Sequence, residues 1–111
     1  MDTPVLRKEL MRALIAPALP VGQVLVQEVT MAPGVRAPLH AHPCPTMGIV
    51  TAGKITFQIE GKSPVILKSG ETFYEPKGVR VAKFNNESQE PAQFVVFYLL
   101  ASGEDETITL L

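Results

Sequence analysis

Apolar and polar positions alternate most cleanly over residues 54–60, where Ile55, Phe57 and Ile59 fall on one parity and Thr56, Gln58 and Glu60 on the other. Successive side chains of a strand point to opposite faces, so this period predicts a strand with one face on a core and one on water. From Gln23 onward the chain continues as short apolar segments broken by Gly, Pro and Asn, which is the pattern of many short strands. The first is expected over residues 23–31, ending at the turn Ala32-Pro33-Gly34. Further strands are expected near 37–42, 47–51, 54–60, 64–67, 71–75, 79–84 and 92–100, with a last one near 106–110. Gly53, Gly61, Gly70, Lys77-Gly78 and Asn85-Asn86 punctuate them. That succession predicts an all-β sandwich or closed barrel and leaves no room for parallel crossovers.

Two segments depart from the alternation. Near the start, Thr3 and Pro4 suit a helix cap and first helical position, Leu6, Leu10 and Leu14 recur four apart, and Pro17 and Pro20 stop the pattern. A short amphipathic helix or turn is therefore expected over residues 4–15, within an N-terminal arm (1–20) that precedes a single barrel domain (21–111). Phe94 to Leu100 is apolar at both parities, so both faces of that strand should be covered by protein. The cover is the N-terminal helix, the second sheet or another subunit. Left bare, Val95, Phe97 and Leu99 would form an aggregation-prone patch, and a homodimer is the expected assembly.

Composition narrows the partners. With 111 residues, 46 % of them hydrophobic and 19 % charged, the chain suits one globular domain with one core. The net charge is -1 and the basic residues are scattered, so neither a nucleic-acid backbone nor an anionic membrane is an expected partner. A single cysteine precludes an internal disulfide, and MDTPVLRKEL lacks the apolar core of a signal peptide. The longest apolar run, from Phe94 to Ala101, falls well short of the roughly 20 residues that span a bilayer. The expectation is a soluble, cytoplasmic protein that meets a small molecule.

The candidate chemistry sits on His40 and His42, the only two histidines. Two residues apart on a strand, both imidazoles project to one face and form half of a facial metal site. Their frame is more specific than the pair. It runs Gly34, five residues, His40, one residue, His42, then Gly53; a second segment runs Gly70, five residues, Pro76, one residue, Gly78, then Asn85. Together these resemble the two motifs of the cupin superfamily. Gly70-Glu71-Thr72-Phe73-Tyr74-Glu75-Pro76 and the later Pro91-Ala92-Gln93-Phe94 are similar to segments of small single-domain cupins. The resemblance implies a double-stranded β-helix, the cupin jelly-roll barrel related to the RmlC-like group, with a pocket at the barrel's mouth and commonly a homodimeric state. It implies no particular reaction, since the superfamily includes dioxygenases, isomerases, decarboxylases, storage proteins and sensory domains.

Two of the four ligand positions implied by the resemblance are altered. The glutamate position, four residues after the second histidine, holds Thr46, and the last histidine position, three residues after the motif glycine, holds Val81. Two imidazoles alone predict a divalent metal (iron, manganese, nickel or zinc) that is weakly held or absent, because protein sites commonly use at least three protein ligands. Cys44 shares the histidines' parity and Glu75 lies beside the motif turn, so these are the candidate replacements. The prolines flanking Cys44 favour a bend there. Thr46, Val81, Lys83 and Tyr74 complete the expected pocket, with Lys83 placed inward by its spacing from Val81. Three readings remain open: a metal-dependent oxygenase or isomerase, a metal-free binding protein or isomerase that uses a histidine base, and an inert structural or sensory barrel.

Overall fold

The computed structural model describes residues 4–111 as nine strands and no helix. In chain order these are β1 (Gln23–Met31), β2 (His40–Ala41), β3 (Thr46–Ala52), β4 (Lys54–Ile59), β5 (Val65–Lys68), β6 (Thr72–Glu75), β7 (Val81–Asn85), β8 (Ala92–Leu100) and β9 (Thr109–Leu110). They form a four-stranded sheet in the order β1-β8-β3-β6 and a five-stranded sheet in the order β5-β4-β7-β2-β9, with every pairing antiparallel. Neighbours in each sheet are mostly distant in sequence, as in a jelly roll, and the all-β jelly-roll expectation holds. No helix among the described residues is long and apolar enough to cross a membrane.

The helix expected over 4–15 does not form; the described part of the arm has no regular structure, and its proposed cap, Thr3, lies outside the described residues. The cause is a missing contact surface. Leu6 and Leu14 are 91 % and 84 % exposed, so two of the three stripe leucines pack on nothing, and an isolated helix of about a dozen residues is marginal in water. Strand 37–42 also shrinks to β2. Pro38 has no amide to donate, residues 43 and 44 bend, and Arg36 makes only an isolated bridge to Asn85.

The core lies between the sheets. Val50, Ile55, Leu67, Phe73, Val81, Phe84, Phe94 and Val96 form its buried cluster, and Phe73, Phe84 and Phe94 meet edge to face at 4.9–5.9 Å between ring centroids. Gly48 on β3 makes this packing feasible. A Cβ there would collide with the Phe73 ring and the Val95 carbonyl oxygen. Beyond the phenylalanines the sheets part, and the inner faces of β1, β3, β6 and β8 enclose a cavity of about 210 Å³ with His40 and His42 in its wall.

Candidate metal centre

Two chain segments supply the charged and imidazole groups in the wall of this cavity. His40 lies on β2 and His42 immediately after it, while Glu75 ends β6; all three are buried. The strand register explains how Glu75 arrives there. Thr46 and Glu75 are direct cross-strand partners on β3 and β6, a relation that sets two Cβ atoms about 4.5–5.5 Å apart on the same face. A carboxylate therefore reaches the same face from the residue opposite Thr46. Val81 faces His40 in the same way across β7 and β2, but it contributes only an aliphatic side chain, fully buried in the core.

Backbone carbonyls orient both rings. His40 Nδ1 lies 2.7 Å from the Pro38 carbonyl oxygen, and His42 Nδ1 lies 2.5 Å from that of Thr107. A carbonyl only accepts, so each Nδ1 carries a proton and each ring turns its Nε2 to the cavity, where it can hold either a lone pair or a second proton. Glu75 Oε2 lies 2.7 Å from His42 Nε2 and 3.7 Å from His40 Nε2. The contacts are close enough for ion pairing, yet Oε2 has no partner with hydrogen-bond geometry and stands as an orphaned buried acceptor. With both Nε2 atoms unprotonated, their lone pairs and the carboxylate converge in a buried site and repel one another unless a proton or a cation lies between them.

The electrostatics agree. Burial disfavours the charged His40 ring, but the Glu75 carboxylate and the Pro38 carbonyl outweigh it and hold its pKa above the ordinary value. Burial likewise pushes Glu75 upward, and its contacts with His40 and His42 reverse that and keep it below the usual carboxylate range. The residues fit a divalent metal. Their three donor atoms lie within 4.8 Å of one another, compatible with the roughly 3–3.5 Å separations produced by metal–ligand bonds of about 2.0–2.2 Å. Carbonyl-held Nδ1 protons are the usual outer support of histidine ligands.

The other candidates separate from this group. Cys44 is buried among Pro43, Pro45, Lys77 and Leu99, because the bend at residues 43–44 breaks the parity that would have aligned it with His42. Burial is the main influence raising its thiol pKa, which disfavours the thiolate a metal needs. Tyr74 pairs with Met47 on the outer face of the first sheet. Lys83 pairs with Gln58, whereas the next β4 residue, Ile59, pairs with Val81; Ala82 is the extra residue of a β-bulge, and it turns Lys83 away from the cavity. Thr46 does line the cavity, with its hydroxyl donating to the Cys44 carbonyl at 3.2 Å. Asn86, not Asn85, closes the turn after β7, donating to the Met31 and Glu90 carbonyls.

Two contributors carry no local sequence signal. Thr107 holds His42 through a backbone carbonyl, which any residue type supplies, and Ile108 closes part of the cavity from 66 positions beyond His42. Tyr98 also faces the cavity, 5.8 Å from the His42 ring between centroids. Burial, with smaller contributions from Glu75 and Cys44, raises its pKa, so the phenol keeps its proton.

The family model described as "Cupin domain" matches residues 27–98. Among solved structures, an oxalate oxidase in complex with the substrate analogue glycolate is 27 % identical, with a TM-score of 0.67 over 79 % of this chain and 46 % of that one. A cupin-like protein from Thermotoga maritima is 26 % identical, with a TM-score of 0.66 over 79 % of this chain and 64 % of that one. A DMSP lyase from Ruegeria pomeroyi, 23 % identical, shares the fold with a TM-score of 0.67 over 78 % of this chain and 42 % of that one. The chain thus spans about half the length of the oxalate oxidase and the lyase. No curated protein matches the sequence significantly.

Proposed function

This chain belongs to the cupin domain family, and we propose that it carries a single divalent transition metal on His40, His42 and Glu75 and uses it to bind or transform a small molecule in the adjoining cavity. The observation behind this reading is the buried carboxylate oxygen of Glu75, without a hydrogen-bond partner and facing the Nε2 atoms of two imidazoles whose Nδ1 atoms are held by backbone carbonyls. Two histidines and one carboxylate suit iron, manganese, nickel or zinc and leave coordination positions open. When bound, the metal supplies Lewis acidity and, for iron or manganese, redox capacity, which suits oxygenase- or isomerase-type chemistry.

The chain's own residues do the rest. Tyr98 holds a phenolic proton within the cavity, available to donate to a bound oxygen atom. Thr46 donates its hydroxyl proton to the Cys44 carbonyl at the cavity wall. Phe73, Phe84, Phe94 and Ile108 keep the remaining wall apolar.

A second reading takes the 2.7 Å contact of His42 with Glu75 as a metal-free acid–base pair. Metal content separates the two. Protein purified without a histidine tag is expected to take up close to one equivalent of metal per chain, and His40→Ala to lose it. Absence of metal from the unaltered protein, even after incubation with iron, manganese, nickel and zinc, overturns the metal reading.

A further inference from the structure

The walls of the cavity constrain the ligand as firmly as the metal group does. Among the described residues, no lysine, arginine, aspartate or glutamate other than Glu75 lines it beside His40 and His42. Its remaining wall includes Phe84, Phe94, Val96, Val29 and Ile108, and among the described residues the hydroxyls of Thr46 and Tyr98 are its other polar side-chain oxygen or nitrogen groups. Lys83, which spacing alone would place inside, is turned out by the bulge at Ala82. Nothing in the cavity wall neutralises a second negative charge on a ligand.

The charge count follows, and it rests on the metal reading above. A divalent ion contributes two positive charges, Glu75 removes one, and the carbonyl-bound imidazoles are neutral, so the loaded site carries one net positive charge. A monoanion brings it to neutrality. A dianion whose second charge stays within the cavity leaves that charge unpaired against aromatic walls, the arrangement that proteins tolerate least. Size adds a second limit. An apolar cavity of about 150 Å³ holds benzene, so about 210 Å³ admits a carboxylate carried on one small ring or a short hydrocarbon chain.

We infer that this site takes a small apolar monoanion, such as a monocarboxylate with a hydrocarbon body, its charged end on the metal and its body against Phe84, Phe94 and Ile108. Dicarboxylates and phosphorylated sugars are disfavoured. The relative solved with glycolate has oxalate as the substrate named for it, so this chain would differ from it in ligand class while sharing its fold.

The probes are acetate, butyrate, benzoate and succinate, titrated into protein loaded with cobalt(II), with the visible cobalt spectrum as the readout and metal content measured before and after. Butyrate and succinate share a four-carbon length and differ in the second carboxylate. Butyrate is expected to bind at least tenfold more tightly than succinate. Affinity should also rise from acetate to butyrate by roughly fourfold for each CH₂ buried, with benzoate binding at least as well as butyrate. Ile108 is 47 % exposed at the rim, so Ile108→Lys should fold, keep its cobalt and narrow the butyrate-to-succinate ratio by supplying the missing positive charge. Full cobalt loading with succinate bound as tightly as butyrate overturns the ligand inference and leaves the metal reading intact. Failure to load cobalt, zinc or iron overturns both, since the charge count depends on the ion.

Discussion

At Glu75 a buried carboxylate meets two rings whose other nitrogens are already committed to backbone carbonyls, and only a proton or a metal ion resolves that meeting. The two compete, which fixes the sign of a pH effect. His40 has a raised pKa, burial opposing the shift and Glu75 and Pro38 producing it, so it takes up a proton at a higher pH than an ordinary histidine of about 6.5. Metal binding must expel that proton. Apparent metal affinity is therefore expected to fall as pH drops through the raised His40 pKa and to level off above it, a trend that competition against a metal-sensitive dye would follow. An affinity that declines from pH 6 to pH 8 contradicts the assignment. The histidine pair and its family frame are visible in the sequence because spacing along one strand encodes them. The third ligand is harder to rank, because Cys44 and Glu75 offer comparable chemistry and only strand pairing decides between them.

Among the elements, β1 and β8 occupy the segments that apolar patterning assigns to them, residues 23–31 and 92–100. Their turns and termini carry strong signals, and long runs of pairing hold them. The arm fails because leucine spacing announces a helix only if a surface receives it, and Lys83 is misplaced because a single bulge residue, Ala82, inverts every parity argument downstream of Val81. Neither event has a local signature. Gly48 shows how closely β3 packs on β6 beside the site, and Gly48→Ala is expected to destabilise the fold by about 1–3 kcal/mol, as overpacking does, by displacing Phe73 or the β3–β8 pairing. Urea denaturation measures this, and an unchanged midpoint with an unchanged slope contradicts it. The Gly78 turn also bears on the site, since its amide, at φ 78°, donates to the His42 carbonyl at 2.9 Å and ties the second motif to the first.

Taken whole, the molecule leaves one apolar surface poorly covered. On the outer face of the first sheet Val26, Phe97 and Met47 lie in one cross-strand row, Val26 is 51 % and Phe97 37 % exposed, and the arm reaches this face with Lys8, Glu9, Leu10 and Met11. We propose that a second copy covers this face, giving the homodimer expected from the two-sided apolarity of residues 94–100. Light scattering should then report about twice the 12.0 kDa chain mass, and Phe97→Lys should halve it; a monomer at micromolar concentration contradicts the proposal. The His40, His42 and Glu75 group is also a property of the whole molecule, because β2 belongs to one sheet and β6 to the other, and the cavity lies where the two close on each other. The replacement of one carboxylate by its cross-strand partner is tested most directly by moving it back. Glu75→Thr should lower metal affinity by more than the roughly 10–100-fold that loss of an outer-shell partner costs, and Thr46→Glu placed in the same chain should restore binding to near one equivalent. Metal content that is unaffected by Glu75→Thr, or not recovered in the double variant when circular dichroism shows it folded, would contradict the assignment of Glu75 as the third ligand.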